Sequence, residues 1–293
     1  MRTPRPLRRR RPTRLLVVVL AGLMAAAPAL TSATAEAAGR WAPAARAKIR
    51  PGVQMYTKGA QCTGNFVFTD RRRRVYVGYA AHCAGRGAAT DTNGCAAKSL
   101  PLGTWVRFAK GGSLSGGGTT VGRGRLAYSS WSTMRRLGTR NANACDYNDF
   151  ALVRVGRAHV GKVNPTVPFW GGPVALGRGG TEPGETVYSY GSSSLRGGAP
   201  ALSPKQGSSM GTSAGGWSHL VYTATPGVPG DSGSAFLDSR GRALGTLSTL
   251  TIAPLVGSNG VSDLRRQLVF AQRHSGIPGL RLVRGTKAFS PLL

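Results

Sequence analysis

Gly230-Asp231-Ser232-Gly233-Ser234-Ala235-Phe236 places a serine in a glycine-flanked turn that runs straight into an apolar, strand-like stretch. Glycines beside it let the backbone turn tightly and present the hydroxyl at the apex. Alone, the tetrapeptide is an ordinary turn. Its weight depends on whether the chain also holds what a serine needs in order to react. A hydroxyl is a poor nucleophile at neutral pH and needs an adjacent base, for which an imidazole of pKa ~6.5 is suited. The imidazole needs a carboxylate to fix its tautomer, and a developing oxyanion needs backbone N–H donors.

Working outward, each part is present. Of four histidines, His82 in Tyr79-Ala80-Ala81-His82-Cys83 follows an apolar run and adjoins a cysteine that can hold it down. His159, His219 and His274 fall in a linker-like segment, at a strand start and at a helix end, and are read as structural. Asp149, in Asn148-Asp149-Phe150-Ala151-Leu152-Val153, leads into a buried strand, whereas Asp146 beside Cys145 is read as a surface group. The N–H groups of Gly230 and Ser232 are the candidate oxyanion donors.

The rest of the 293-residue chain sets the context. Residues 1–14 carry seven arginines and no acid, Leu15 to Ala27 is apolar, Pro28 ends that run, and small residues follow. This describes a secretory signal over 1–37, too short before its proline to be a membrane anchor. The expected location is therefore extracellular, with no membrane partner after the signal is removed. Seven of the 39 Lys and Arg and one of the ten acids lie in the signal, so the net charge falls from +29 to +23. Outside the signal only Arg71 to Arg74 forms a basic run, in a polar turn without interleaved aromatics, so no specific nucleic acid is expected. The charge favours non-specific adhesion to polyanions or cell walls. Four cysteines in an exported chain, Cys62, Cys83, Cys95 and Cys145, predict two disulfides, and the absence of any Cys-x-x-Cys knuckle argues against a metal. No cofactor is expected.

From residue 51 onward, short β-like runs alternate with Gly, Ser, Asn and Pro, an all-β pattern. Strands are expected at Asn65–Phe68, Val75–Tyr79, Thr104–Phe108, Gly124–Ser129, Phe150–Val155, Thr186–Tyr190, His219–Thr223, Ser234–Leu237 and Ala243–Thr249. The Gly-rich stretches 111–118 and 191–216 are expected to be loops. One helix is predicted over Leu264 to Arg273, capped by Asp263. Residues 38–50 are read as a short pro-segment or disordered start. Residues 51–160 are read as a first unit, 161–275 as a second unit with the helix, and 276–293 as a tail that packs as an extended strand. The linker between the units falls in Gly156–Pro168.

Ala80-Ala81-His82-Cys83, Asp149 to Val153 and Gly230-Asp231-Ser232-Gly233 together resemble the three signature blocks of the chymotrypsin/trypsin family of serine proteases, in that family's chain order. The resemblance spans about residues 52 to 275. It implies two six-stranded Greek-key β-barrels packed face to face with a short C-terminal helix, and protein or peptide substrates. His82 would be general base, Asp149 its orienting partner and Ser232 the nucleophile of an acyl-enzyme mechanism. It also implies a Cys62–Cys83 disulfide, which leaves Cys95 and Cys145 as the second pair. Pro226, Gly227, Ser248, Leu250 and Gly260 would line the specificity pocket.

Some positions depart from the family pattern. Pro226 stands six residues before Ser232, where members that cleave after Arg or Lys carry an acid. An uncharged floor leaves a substrate guanidinium without a partner, so specificity for basic residues is not expected; small or apolar residues are favoured instead. No Ile-Val type amino terminus is evident for pairing with Asp231, so an internal partner is expected. Two other functions compete. An esterase usually has Gly-x-Ser-x-Gly on a strand-to-helix turn, which Gly230 to Ser234 does not match. A catalytically silent basic binding protein on the same fold is opposed by the presence of all three triad residues.

Overall fold

The structure, a computed structural model, describes residues 40–87, 92–251 and 258–291; the side chains of Leu250 and Thr251 and the signal-peptide stretch 1–37 lie outside the described residues. The N-terminal half is built from β1 (Gln54–Thr57), β2 (Ala60–Thr63), β3 (Val67–Thr69), β4 (Val75–Tyr79), β5 (Trp105–Lys110), β6 (Thr119–Ser129) and β7 (Ala151–Val155), joined by β14 (Arg281–Leu282) from the tail. Their order across the sheet is β14-β3-β4-β7-β6-β5-β1-β2. Strands β2 and β3 are successive pieces of one stretch, 60–69, so the sheet curls until β2, at one end, meets β3, next to the other end, in a single bent segment. Gly64 lies at that bend, where an added Cβ would stand 2.9 Å from Val77 and 3.1 Å from Met55 and Val53. Inside, Met55, Val77, Val106, Phe108, Leu126 and Val153 form the core. On β5, Val106 and Phe108 point inward while Trp105 is exposed and Arg107 half-buried, the alternation that a two-residue period requires.

The C-terminal half is a closed antiparallel barrel in the order β10-β13-β12-β11-β8-β9. Its strands are β8 (Pro183–Tyr190), β9 (Pro204–Ser213), β10 (Ser218–Thr223), β11 (Ala235–Leu237), β12 (Ala243–Thr251) and β13 (Ser258–Asp263). Val187, Val221, Phe236, Leu244, Leu247 and Val261 fill it. A separate apolar cluster, including Phe68, Phe150, Trp170, Leu237 and Leu268, draws on both halves and on the C-terminal helix, binding them together. The chain is thus all-β, two barrel halves with a short C-terminal helix.

Helices α1 (Ser130–Leu137) and α2 (Ala142–Tyr147) lie between β6 and β7, where no helix was expected; α3 (Leu264–His274) closes the second half. Asp263 caps α3 as predicted, accepting from the Arg266 N–H at 2.8 Å. Its other oxygen lies 3.1 Å from Nε2 of the fully buried His219, whose Nδ1 faces the Thr181 and Thr212 hydroxyls. His219 is accordingly part of the barrel's internal wiring. Two expectations need correction. The stretch 191–216 is not loop throughout, because its second part is β9, paired to β8 and β10 along its length. Nor are residues 40–50 a disordered start: Trp41 and Ile49 are buried, Ala42 N–H donates to the Val163 carbonyl, and Ile49 N–H to that of Lys162. Among the described residues no helix is long and apolar enough to cross a membrane.

Candidate active site

His82 sits in a 3-10 turn, Ala81–Ala84, directly after β4. Asp149 lies between α2 and β7, in a segment clamped by Ser130. The Ser130 hydroxyl donates to the Asn148 carbonyl at 2.5 Å and accepts from the Phe150 N–H at 3.0 Å. The two elements meet. Asp149 Oδ1 accepts the His82 backbone N–H at 2.8 Å, and Oδ2 lies 2.7 Å from His82 Nδ1. Oδ2 also accepts the Ser248 hydroxyl at 2.6 Å. Burial pushes the Asp149 carboxyl up, but the His82 charge and the donors from His82 and Ser248 outweigh it, and its pKa lies below the ordinary value. For His82 burial pulls the imidazole down, yet the Asp149 charge and hydrogen bond carry it above its ordinary value. Asp149 is buried to 2% side-chain exposure while His82 keeps 16%, so the imidazole retains an edge open to a reactant.

The serine turn is fastened to the same wall. Thr63 N–H donates to the Ser232 carbonyl at 2.8 Å, and Thr63 Oγ1 to the Gly230 carbonyl at 2.8 Å. Thr63 follows Cys62, which is bonded to Cys83 beside His82, so a short path of bonds relates Ser232 to the imidazole. Gly233, at φ +91°, has no room for a side chain, since a Cβ would meet the Thr63 carbonyl at 2.5 Å and the Ala80 nitrogen at 2.9 Å. Ser232 Oγ makes no hydrogen bond among the described residues; a bond between nucleophile and base commonly tightens only around substrate.

Planar trans peptides point C=O and N–H in opposite directions. The Pro229 carbonyl accepts the Ser193 hydroxyl at 2.5 Å, which turns the Gly230 N–H the other way. The Asp231 carbonyl accepts both N–H and Oγ of Ser234, at 2.9 and 2.6 Å, which does the same for the Ser232 N–H. Neither N–H has a partner among the described residues. A pair of free, oriented donors is what an oxyanion requires.

Asp231 has the internal partners that the sequence called for without naming. Arg196 Nη2 lies 2.6 Å and Lys205 Nζ 3.0 Å from its Oδ2, and Ser193 N–H donates to Oδ1 at 2.9 Å. Both cations are buried, and both also donate to the Pro226 carbonyl, at 2.7 and 3.3 Å. Burial lowers the Lys205 pKa, which the Asp231 charge only partly offsets. Pro226, the expected pocket floor, is therefore backed by two cations and one carboxylate. Gly227 N–H is taken by Asn259 Oδ1 at 2.8 Å, and an added Cβ at Gly260 would meet Thr249 Oγ1. Ser248, expected in the pocket, turns its hydroxyl to Asp149. The Leu250 side chain lies outside the described residues. Cys95 is bonded to Cys145. Cys62, Cys83 and His82 bring potential ligand atoms within 4.8 Å, but the two sulfurs are joined to each other and offer no thiolate.

Sequence reasoning missed Thr63, Ser193, Ser234, Arg196 and Lys205. Small hydroxyls in a Gly/Ser-rich chain carry no local signature, and Lys205 falls in a stretch read as loop.

No family model and no curated protein sequence matches the chain. Among solved structures it is similar to Thermobifida fusca protease A, at 17% identity over 81% of this chain and 99% of that one, with a TM-score of 0.49. Nocardiopsis protease gives 19% identity over 80% and 98%, at 0.45. A glutamic acid-specific serine protease gives 18% over 75% and 96%, also at 0.45.

Proposed function

We propose that the chain is a secreted serine endopeptidase acting through Ser232, His82 and Asp149. The observation that carries this is the Asp149 carboxylate, which grips both the backbone and the ring of His82 on the wall that holds the Ser232 turn. His82 Nδ1 is committed to Asp149, so Nε2 is the nitrogen left to act as base. It takes the Ser232 proton as Oγ attacks the scissile carbonyl. The resulting oxyanion falls to the N–H groups of Gly230 and Ser232. His82 then passes the proton to the leaving amine, which departs and leaves an acyl group on Ser232. Water, deprotonated by the same imidazole, releases the acid and restores the serine. Both disulfides suit an oxidising, extracellular destination.

The pocket floor supports rejection of basic side chains. The Pro226 carbonyl, a natural acceptor for a substrate ammonium, is already used by Arg196 and Lys205, and their charge opposes another cation nearby.

The test is labelling of the secreted protein with a fluorophosphonate, alongside Ser232→Ala, followed by cleavage of a mixed peptide library. Ser232-dependent labelling and cleavage away from Arg and Lys are expected. A folded protein that takes no label would overturn the enzyme assignment. Labelling without peptide cleavage would turn it towards an esterase or a blocked cleft.

A further inference from the structure

The outer face of the N-terminal sheet carries arginines in an arrangement that folding alone does not reward. Arg107 on β5 is directly opposite Arg123 on β6, and Arg125 on β6 is directly opposite Arg154 on β7. Like charges facing each other across a ladder are destabilising. Among the described residues none of the four has a carboxylate partner, although the chain does pair Arg74 with Asp70 and Arg242 with Asp238 elsewhere. Within the chain this face is left unbalanced, so its charge is open to an anion from solution.

Two of the four guanidiniums are also held in place. Arg125 lies 3.8 Å over the ring of Trp105 and donates to the Gly103 carbonyl at 2.9 Å. Arg107 lies 4.4 Å over the ring of Tyr56. Stacking fixes each guanidinium plane and leaves N–H edges for an oxyanion, with less side-chain freedom to lose on binding. Trp105 is itself 56% exposed, although its strand neighbour Val106 is fully buried. A groove of about 360 Å³ is lined by Arg107, Arg123, Trp105 and Lys58.

We propose that this face binds a linear phosphate polymer. Two rows, Tyr56-Arg107-Arg123 and Trp105-Arg125-Arg154, lie two residues apart along the strands, roughly 7 Å. A single small anion engages one row, whereas a repeating phosphate spans both. Strands β5, β6 and β7 all have neighbours on both sides, so no sheet edge is offered to an acidic peptide strand. Arg107 and Arg125 each cover a face of their ring and Tyr56 is buried, so Trp105 alone has a face open to a base and no run of bases can stack here. Recognition is through phosphate charge. None of these residues belongs to the triad or its turn, so the proposal stands apart from the catalytic assignment.

The test uses the secreted protein, in wild-type and Ser232→Ala forms, titrated with long-chain inorganic polyphosphate across a salt series. Arg107→Gln/Arg123→Gln/Arg125→Gln is compared with Arg178→Gln/Arg265→Gln/Arg273→Gln, which removes the same charge from the basic groove beside α3. The first triple variant should bind at least about tenfold more weakly, with a log–log salt slope shallower by about 2. The second should stay within about threefold of wild type. Fluorophosphonate labelling and thermal unfolding confirm that the variants without Ser232→Ala are folded. Equal loss in both triple variants would reduce the effect to net charge and overturn the proposal. Single-stranded DNA of equal phosphate number binding more than tenfold tighter than polyphosphate would also overturn it, because bases would then carry the recognition.

Discussion

At the scale of single residues, the site depends on how Asp149 sets His82. The His82 pKa is raised in the folded protein, and the proposed base must be neutral. Activity is therefore lost as pH falls through a value above the ordinary ~6.5. In Asp149→Asn the raising influences vanish and burial remains, so the acid limb of kcat/KM should move to lower pH while kcat drops about 10⁴-fold. An acid limb that stayed in place would contradict the assignment of His82. Ser248→Ala removes one donor to the carboxylate. A hydrogen bond to a charged group is worth about 1.5–3 kcal/mol, so kcat should fall about ten- to a hundredfold with little change in KM. A KM effect without a fall in kcat would contradict that positioning role. His82, Asp149 and Ser232 could be picked from sequence because the chemistry demands those three types and each sits at the edge of an apolar run. Ser193, Ser234 and Thr63 could not, since orienting a peptide by its carbonyl takes any small donor in the right place, and place is a property of the fold.

At the scale of elements, the turn 226–234 and strand β9 explain one another. Residues 204–213, Pro-Lys-Gln-Gly-Ser-Ser-Met-Gly-Thr-Ser, show no apolar alternation, which is why they read as loop. Pairing with β8 and β10 makes them a strand in spite of their propensity, and the pairing delivers Lys205 to the underside of the serine turn. Helices α1 and α2 were illegible for a related reason: each is short and held mainly by tertiary contacts such as Trp131 and Met134 in the core. Asp231, fully buried, has two cations where one would balance it. Lys205→Met keeps Arg196 on the carboxylate and removes a surplus buried charge, so stability should change by no more than about 1 kcal/mol. Removing both cations strands Asp231 and should cost about 3–5 kcal/mol, far beyond the sum of the single changes. Urea unfolding of the two singles and the double variant reads this coupling. Additive effects would mean that Ser193 and Val228 N–H donors suffice for Asp231. The double variant should also label slowly with fluorophosphonate, because the Gly230 and Ser232 N–H groups lose their frame.

At the scale of the whole molecule, the proposed catalytic groups stand on different halves, His82 and Asp149 on the first and Ser232 on the second. The resemblance carried by the His, Asp and Ser blocks made two halves legible from the sequence, and the tail was expected as an extended strand; that it ties one half to the other was not legible, because a basic tail with little periodicity does not show what it packs against. That tail pairs Leu282 with Phe68 as β14. Val283 N–H then donates to the Val67 carbonyl at 2.9 Å. It crosses to the second half, where Gly285 N–H reaches the Pro173 carbonyl at 2.9 Å and Ser290 N–H the Trp170 carbonyl at 2.8 Å. The Phe289 ring ends against Tyr188, 5.3 Å between centroids. Leu282, Val283 and Phe289 are each partly buried, so together they contribute about 2–4 kcal/mol at roughly half of the full-burial value. Ending the chain after Leu280 should lower the urea midpoint accordingly. It should also slow Ser232 labelling in the fraction that remains folded, since the strap sets one half against the other. Restoring Phe289 in a tail whose Leu282 and Val283 are replaced by serine separates the two anchors: partial recovery of the midpoint is expected. An unchanged midpoint on truncation would show that the buried cluster between the halves holds them in register without the tail.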